Sequence, residues 1–193
     1  MSLLNVNKID PATGTGLELG SSGDTITIPS GATITNNGTQ TGFGGTMTPA
    51  FEAKLSANQT VTDGTQTKVA CNTEVYDTDN AYDNSTNYRF TPQTAGKYYC
   101  YGAISCVPSS NNVLSEAMVS FRFNGSRTRT SSLTFNTSTF ACQHSPFVAE
   151  VLTFNGSSDY VELWGRCDVS SGTPNFAPAH EFATYFGAFR IIT

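Results

Sequence analysis

The sequence predicts an all-β protein, a sandwich of short strands led by an extended β-ribbon. Three observations carry that prediction. Charged residues make up only 13% of the 193-residue chain, about half of the roughly 25% usual in globular domains. Polarity comes instead from Thr, Ser and Asn, and β-branched Thr fits a pleated surface while Asn and Gly fill turns. Short alternating runs separated by turn signals recur along residues 46–193, and no segment carries a helical period. Thirteen Phe and eight Tyr supply the core of one full-sized domain.

A compositional break near "TGFGGTMTP" divides the chain into an N-terminal stalk or anchoring segment, 1–45, and a head, 46–193. In the stalk, "TITIPSGATIT" places Ile26, Ile28, Ala32 and Ile34 on one face and Thr on the other. One such ribbon buries too little to stand alone. Three ribbons around a shared axis bury the isoleucines against one another, at about 25 cal/mol per Å² of apolar surface. The trimer stalk contacts are therefore Ile26, Ile28 and Ile34, with "TGFGG" as the joint to the head. The competing reading is a glycine-rich disordered tail.

In the head, "AFEAKLS" (50–56) sets Phe51, Ala53 and Leu55 on one face, and "TKVACN" (67–72) follows the turn "TDGT". "NYRFTP" (87–92) runs into "AGKYYCYGAISC" (95–106), where Tyr98, Cys100, Gly102 and Ile104 share a face. "SEAMVSFRFNGSRTRT" (115–130) holds Asn124-Gly125 between alternating runs, a strong hairpin signal. "PFVAEVLTFNGSSDYVELWGRC" (146–167) has a second Asn-Gly loop between strands, and "EFATYFGAFRIIT" (181–193) is the last strand. The stretch "EVYDTDNAYDNSTNY" (74–88) reads as a loop.

The order of these motifs resembles a known family. "YRFTPQTAGKYYCYGA" is similar to the F-x-x-x-x-x-G-x-Y-x-F block of complement-type globular heads, the tumour necrosis factor-like jelly roll, through Phe90, Gly96, Tyr98 and Cys100. Cys100 departs from the usual aromatic. "VLTFNGSSDYVEL" resembles the family's L-x-L-x-x-G-D-x-V-x-L with two serines inserted, and "TYFGAFRII" its F-x-G-x-L ending through Tyr185, Gly187 and Phe189. The resemblance implies a jelly-roll sandwich and a homotrimer in which one sheet packs around the threefold axis. Phe51, Leu55, Phe90, Tyr98, Phe121, Val161, Leu163, Tyr185 and Phe189 are the candidates for head core or subunit interface, with core the first reading for any one of them. The stalk has its own resemblance: "LNVNKI" and then "GLELGSSGDTITIPSGATITNNGTQTGFGG" look like the N-terminal ribbons of phage fibre proteins, especially in viruses of marine bacteria and cyanobacteria.

Several chemistries are disfavoured. A net charge of −5, with no basic run, argues against nucleic acid, whose phosphates need clustered Lys and Arg. No run approaches the roughly 18 apolar residues of a membrane span. The N-terminus has no charged start followed by an apolar stretch, so no secretory signal is expected, and the five cysteines are read as free thiols. His144 and His180 stand in no nucleophile or metal-ligand spacing, and no carboxylate pair stands in a recognisable motif. No enzyme, cofactor or metal is expected. Asp77, Asp79 and Asp83 are oxygen donors of the kind calcium takes, but they lack the EF-hand's central Gly and terminal Glu. The better reading is a solvated loop whose Asp and Asn cap turns.

The expected function is a structural component of a phage virion, assembled in the host cytoplasm: a short trimeric fibre or spike, on tail or capsid. Its N-terminal segment would meet other virion proteins and its head the host surface, polysaccharide or protein. An Asn/Ser/Thr-rich surface with Trp164 suits sugar contact, and the sequons at Asn58, Asn84, Asn124 and Asn136 are products of that composition. The alternative is a free trimeric complement-like lectin attached to no particle.

Overall fold

The structure, a computed structural model, describes residues 9, 14–38, 47–135, 141–178 and 184–191. His180, the Asn136 sequon, most of "LNVNKI" and the "TGFGG" joint lie outside the described residues. By contact density the chain divides into two units, Met1–Phe43 and Gly44–Thr193.

In the second unit, hydrophobic alternation builds two sheets that face each other. Strands β1 (Ala50–Lys54), β4 (Thr73–Asp77), β7 (Gly96–Ala103), β11 (Phe147–Phe154) and β14 (Tyr185–Arg190) form one sheet, in the order β11-β7-β14-β1-β4. Strands β5 (Tyr82–Asp83), β6 (Arg89–Phe90), β9 (Leu114–Phe123), β10 (Ser126–Thr134) and β12 (Val161–Val169) form the other, in the order β10-β9-β12-β6-β5, with β3 (Thr67–Lys68) also pairing β12. A small sheet of β2 (Gln59–Thr60), β13 (Pro174–Phe176) and β8 (Cys106–Pro108) completes the unit. Every pairing is antiparallel. No helix of the described residues is long and apolar enough to cross a membrane.

Between the sheets lies an aromatic core. Phe51 stacks on both Tyr82 and Phe90, with centroids 4.5 Å apart in each pair, and meets Phe186 edge-on at 5.0 Å. Tyr98 and Phe90 each contact Phe154 in the same T-shaped manner. Such offset and edge contacts suit ring quadrupoles and add about 0.5–1.5 kcal/mol per pair beyond burial. Two buried tyrosines keep their hydroxyls satisfied, Tyr82 donating to the Cys71 carbonyl and Tyr98 to that of Thr94.

The β9–β10 hairpin turns at Asn124 and Gly125, whose φ angles of 49° and 81° are those of a type I′ turn. The second Asn-Gly loop does something different. Its flanking strands β11 and β12 belong to opposite sheets, so residues 155–160 cross the sandwich instead of closing a hairpin. Asp159 organises that crossing, accepting from the Asn155 amide and from the Asn124 side chain.

Three expectations about the head need correction. The stretch 74–88 is not simply a loop: β4 and β5 lie within it or at its edge, and Tyr82 belongs to the core. Its alternation is hidden because β5 has two residues and β4 pairs β1 through a bulge between Glu52 and Ala53. "TKVACN" pairs only at Thr67–Lys68, and "AGKYYCYGAISC" breaks at Ile104–Ser105 before β8 begins. In the first unit the expected ribbon forms no strand over the described residues 14–38, all of which are exposed. Two local turns shape it, closed by Asp24 N–H to the Ser21 carbonyl and Ala32 N–H to that of Pro29. Among the described residues the segment pairs with no strand, and an isolated ribbon does not hold a ladder in water.

Candidate functional site

Strand alternation divides the candidate residues between two faces. Phe51, Phe90, Tyr98, Phe121, Val161 and Leu163 are fully buried between the sheets, with Leu55 at their margin. Tyr185 and Phe189 are not among them. In β14 it is Phe186 and Ala188 that point into the core, so Tyr185, Gly187 and Phe189 lie on the opposite, outer face of the five-stranded sheet.

That outer face is a set of registered rows. Phe147, Ala103, Tyr185 and Lys54 align across β11, β7, β14 and β1. The next row is Ala149, Tyr101, Gly187, Glu52 and Tyr76, and the next is Val151, Tyr99, Phe189 and Ala50. Tyr99 lies 5.5 Å from Phe189 and 6.1 Å from Tyr101, and Tyr101 lies 6.2 Å from Tyr185, centroid to centroid. Phe147 and Val151 are about half exposed, at 47% and 50%, and Tyr76 is 42% exposed. Lys54 and Lys97 stand exposed on the same face. An aromatic centre edged by charge is the composition of an interface, in which Tyr and Phe are enriched and charge is kept outside.

Tyr101 is the fixed point of the face. Its ring lies over Gly187, where a Cβ would stand 2.4 Å from the ring carbon bearing the hydroxyl. Only glycine leaves room for the ring to lie flat and reach Glu52, to whose Oε2 the Tyr101 hydroxyl donates at 2.9 Å. The Tyr76 hydroxyl lies 3.5 Å from that of Tyr101, and since Tyr101's proton goes to Glu52, Tyr76 is the donor of that pair. Burial, then the hydrogen bonds with Tyr76 and Glu52, push the Tyr101 phenol well above its ordinary value, so it stays a neutral donor. Tyr185 is raised too, mainly by burial.

Tyr76, Tyr99, Tyr101, Glu52, Phe147 and Val151 were not among the sequence candidates. A signal for the central pair was present: "KYYCY" puts aromatics on both faces of one strand, and a strand with one solvated face has no use for the second set.

The acidic candidates each accept hydrogen bonds from groups close by in the chain, Asp79 from the Thr78 hydroxyl. Asp77 accepts from the backbone N–H groups of Asp79 and Tyr82. Asp83 accepts from those of Ser85, Thr86 and Asn87 and from the Asn87 side chain. The Thr86 N–H above all, with Ser85 and Asn87, holds the Asp83 carboxyl well below the usual carboxylate range, against an opposing push from desolvation. These carboxylates cap turns, and among the described residues no three metal-ligating side chains converge. His144 packs edge-on against Phe135 at 5.6 Å. Trp164 is half-buried on β12. The Arg122 guanidinium covers its ring at 3.7 Å and its N–H donates to Glu162.

No family model matches the chain, and no curated protein sequence matches it closely enough to count as a relative. Solved structures do resemble it. Eiger TNF from S. frugiperda superposes with a TM-score of 0.53 at 11% identity, over 74% of this chain and 91% of that one. Murine APRIL at pH 5.0 gives 0.49 at 12% identity, over 74% of this chain and 98% of that one. The Eiger TNF likeness is one of fold, and it places the head among tumour necrosis factor-like jelly rolls.

Proposed function

We propose that the head is one third of a homotrimer whose subunits meet through the outer face of the five-stranded sheet. We further propose that the trimer is a short fibre or spike of a phage virion. The observation that carries the first reading is the aromatic face itself. Tyr76, Tyr99, Tyr101, Tyr185, Phe189, Phe147 and Val151 lie together on one sheet face, where a soluble monomer would place polar side chains. A closed ring of identical subunits covers that face on every copy at once. The second reading is supported by the stalk. Ile26, Ile28 and Ile34 are 61%, 48% and 59% exposed, apolar and without a partner strand among the described residues of their own chain. Residues 1–45 attach the trimer to the particle, and the head meets the host surface.

Native mass spectrometry of the full chain tests the first reading, with trimer as the expected mass. The pair Tyr101→Glu with Val151→Glu puts two extra carboxylates per subunit on the face and should give a folded monomer. A monomeric wild-type chain at micromolar concentration would remove the proposal. Mass spectrometry of purified particles tests the second reading, and absence of the protein from them would overturn it. A free trimeric binding module shares the same head, and the fold likeness to Eiger TNF favours it equally. The particle experiment separates the two.

A further inference from the structure

The hairpin formed by β5 and β6 carries a feature that neither the fold nor the trimer accounts for. Tyr82 and Phe90 point into the core, so Asp83, Arg89 and Thr91 point outward. With Asn80, Asn87 and Gln93 they line an open pocket of about 280 Å³. That volume lies just under the roughly 300–1,000 Å³ of small-molecule sites, enough for a single ring and its substituents.

Arg89 is the charged donor of this pocket. Its guanidinium makes no hydrogen bond or ion pair among the described residues and instead lies 4.5 Å over the ring of Tyr160. Tyr160 is itself held in place. Its N–H donates to the Asn124 side chain, whose amide reaches Asp159, whose other oxygen caps Asn155. The cation is thus fixed from below by stacking while its N–H donors remain open. Two carboxylates stand in register with Arg89 and neither claims it: Asp83 on β5 is filled by backbone and side-chain N–H groups of residues 85–87, and Glu162 on β12 is taken by Lys68 and the Trp164 N–H.

The neighbouring groups divide in the same way. The Asn87 amide nitrogen is held by Asp83, and that of Gln93 by the Thr91 and Ser157 carbonyls. Each therefore has an amide oxygen left to accept with. The Thr91 hydroxyl and the Asn80 side chain have no partner among the described residues. The pocket offers one planar, bidentate cation and several neutral acceptors and donors at its edge. Arginine's fork matches a carboxylate, and the amides and hydroxyl match vicinal alcohols.

We infer that this pocket binds a carboxylated sugar, one uronate ring, with the carboxylate on Arg89 and the ring hydroxyls on Asn80, Asn87, Thr91 and Gln93. The inference does not rest on the trimer or on the virion, since every residue belongs to one chain.

Titration of the isotopically labelled full chain with sodium glucuronate, followed by amide NMR, tests it. Shifts confined to residues 80–93 and 157–160 are expected, with affinity at least tenfold above that for glucose or for acetate. Arg89→Gln should remove glucuronate binding, and Arg89→Lys should weaken it about tenfold, because the charge persists but the fork is lost. Gln93→Glu sets a carboxylate at the pocket edge without touching the core and should also weaken binding, so the test does not depend on one variant folding. Equal shifts with glucose and glucuronate would overturn the inference. So would glucuronate shifts spread evenly over the surface, no shifts at all, or full binding by a folded Arg89→Gln chain.

Discussion

At the scale of single residues, Gly187 and Tyr101 connect local sterics to assembly. A methyl group at Gly187 would stand 2.4 and 2.5 Å from the end of the Tyr101 ring. The ring must then lift away and release Glu52, but the core behind it, Phe186 and Ala188, is undisturbed. Gly187→Ala is therefore expected to leave the secondary structure intact while weakening self-association about tenfold, or about 1.4 kcal/mol. Sedimentation equilibrium reads this directly, and wild-type association in the variant would place the interface elsewhere. Asp83 gives a pH prediction. Its folded-state carboxyl is held below the unfolded value of about 3.9, so the stabilisation is present above that value and lost as pH falls below it. Asp83→Asn should lower the unfolding temperature at pH 7, and the gap from wild type should narrow steadily below about pH 4. A constant gap across that range would show that the turn does not depend on the charge.

At the scale of elements, legibility followed local signals. The β9–β10 hairpin was readable because Asn124-Gly125 has one preferred turn and the flanking alternation agrees with it. The two-residue strands β2 and β5 were not, since their pairing comes from distant strands and leaves no period in so short a window. The ending "TYFGAFRII" was located correctly as a strand, yet its face was ambiguous because Tyr, Phe and Phe occupy both sides. Only the register with β1 and β7 decides that Phe186 faces inward. The thiols follow from the same strands. Cys71, Cys100, Cys106 and Cys167 are buried, and Cys142 alone is exposed. Burial pushes the Cys71 thiol up to about 12 and raises Cys100 and Cys106 as well. Since the thiolate is the reactive form, a thiol reagent at pH 8 should count one reactive group per native chain and all five after unfolding. Rapid reaction of a second native thiol would mean that the sandwich opens far more readily than its packing implies.

At the scale of the whole molecule, the head and the stalk pose one question of cooperation between chains. The head's fold was legible in motif order and its aromatic face only in part: Tyr185 and Phe189 stood among the core-or-interface candidates, while Tyr76, which joins them only through the pairing of β4 with β1, did not. The stalk is the reverse case: its apolar alternation is plain in sequence, and its described residues stay exposed in a single chain. If three copies share those isoleucines, changing Ile26, Ile28 and Ile34 together to Thr keeps β-propensity while removing most of the apolar area to be buried. The head should then remain trimeric through its own sheet. Residues 14–38 should become open to a broad-specificity protease at concentrations that leave the wild-type stalk intact. Mass mapping of the fragments locates the cuts, and a parallel scan of unfolding temperature reports on the head. Equal cleavage of wild-type and variant stalks would show that the isoleucines meet no partner in the isolated assembly. The segment would then have to be ordered by whatever surface it attaches to.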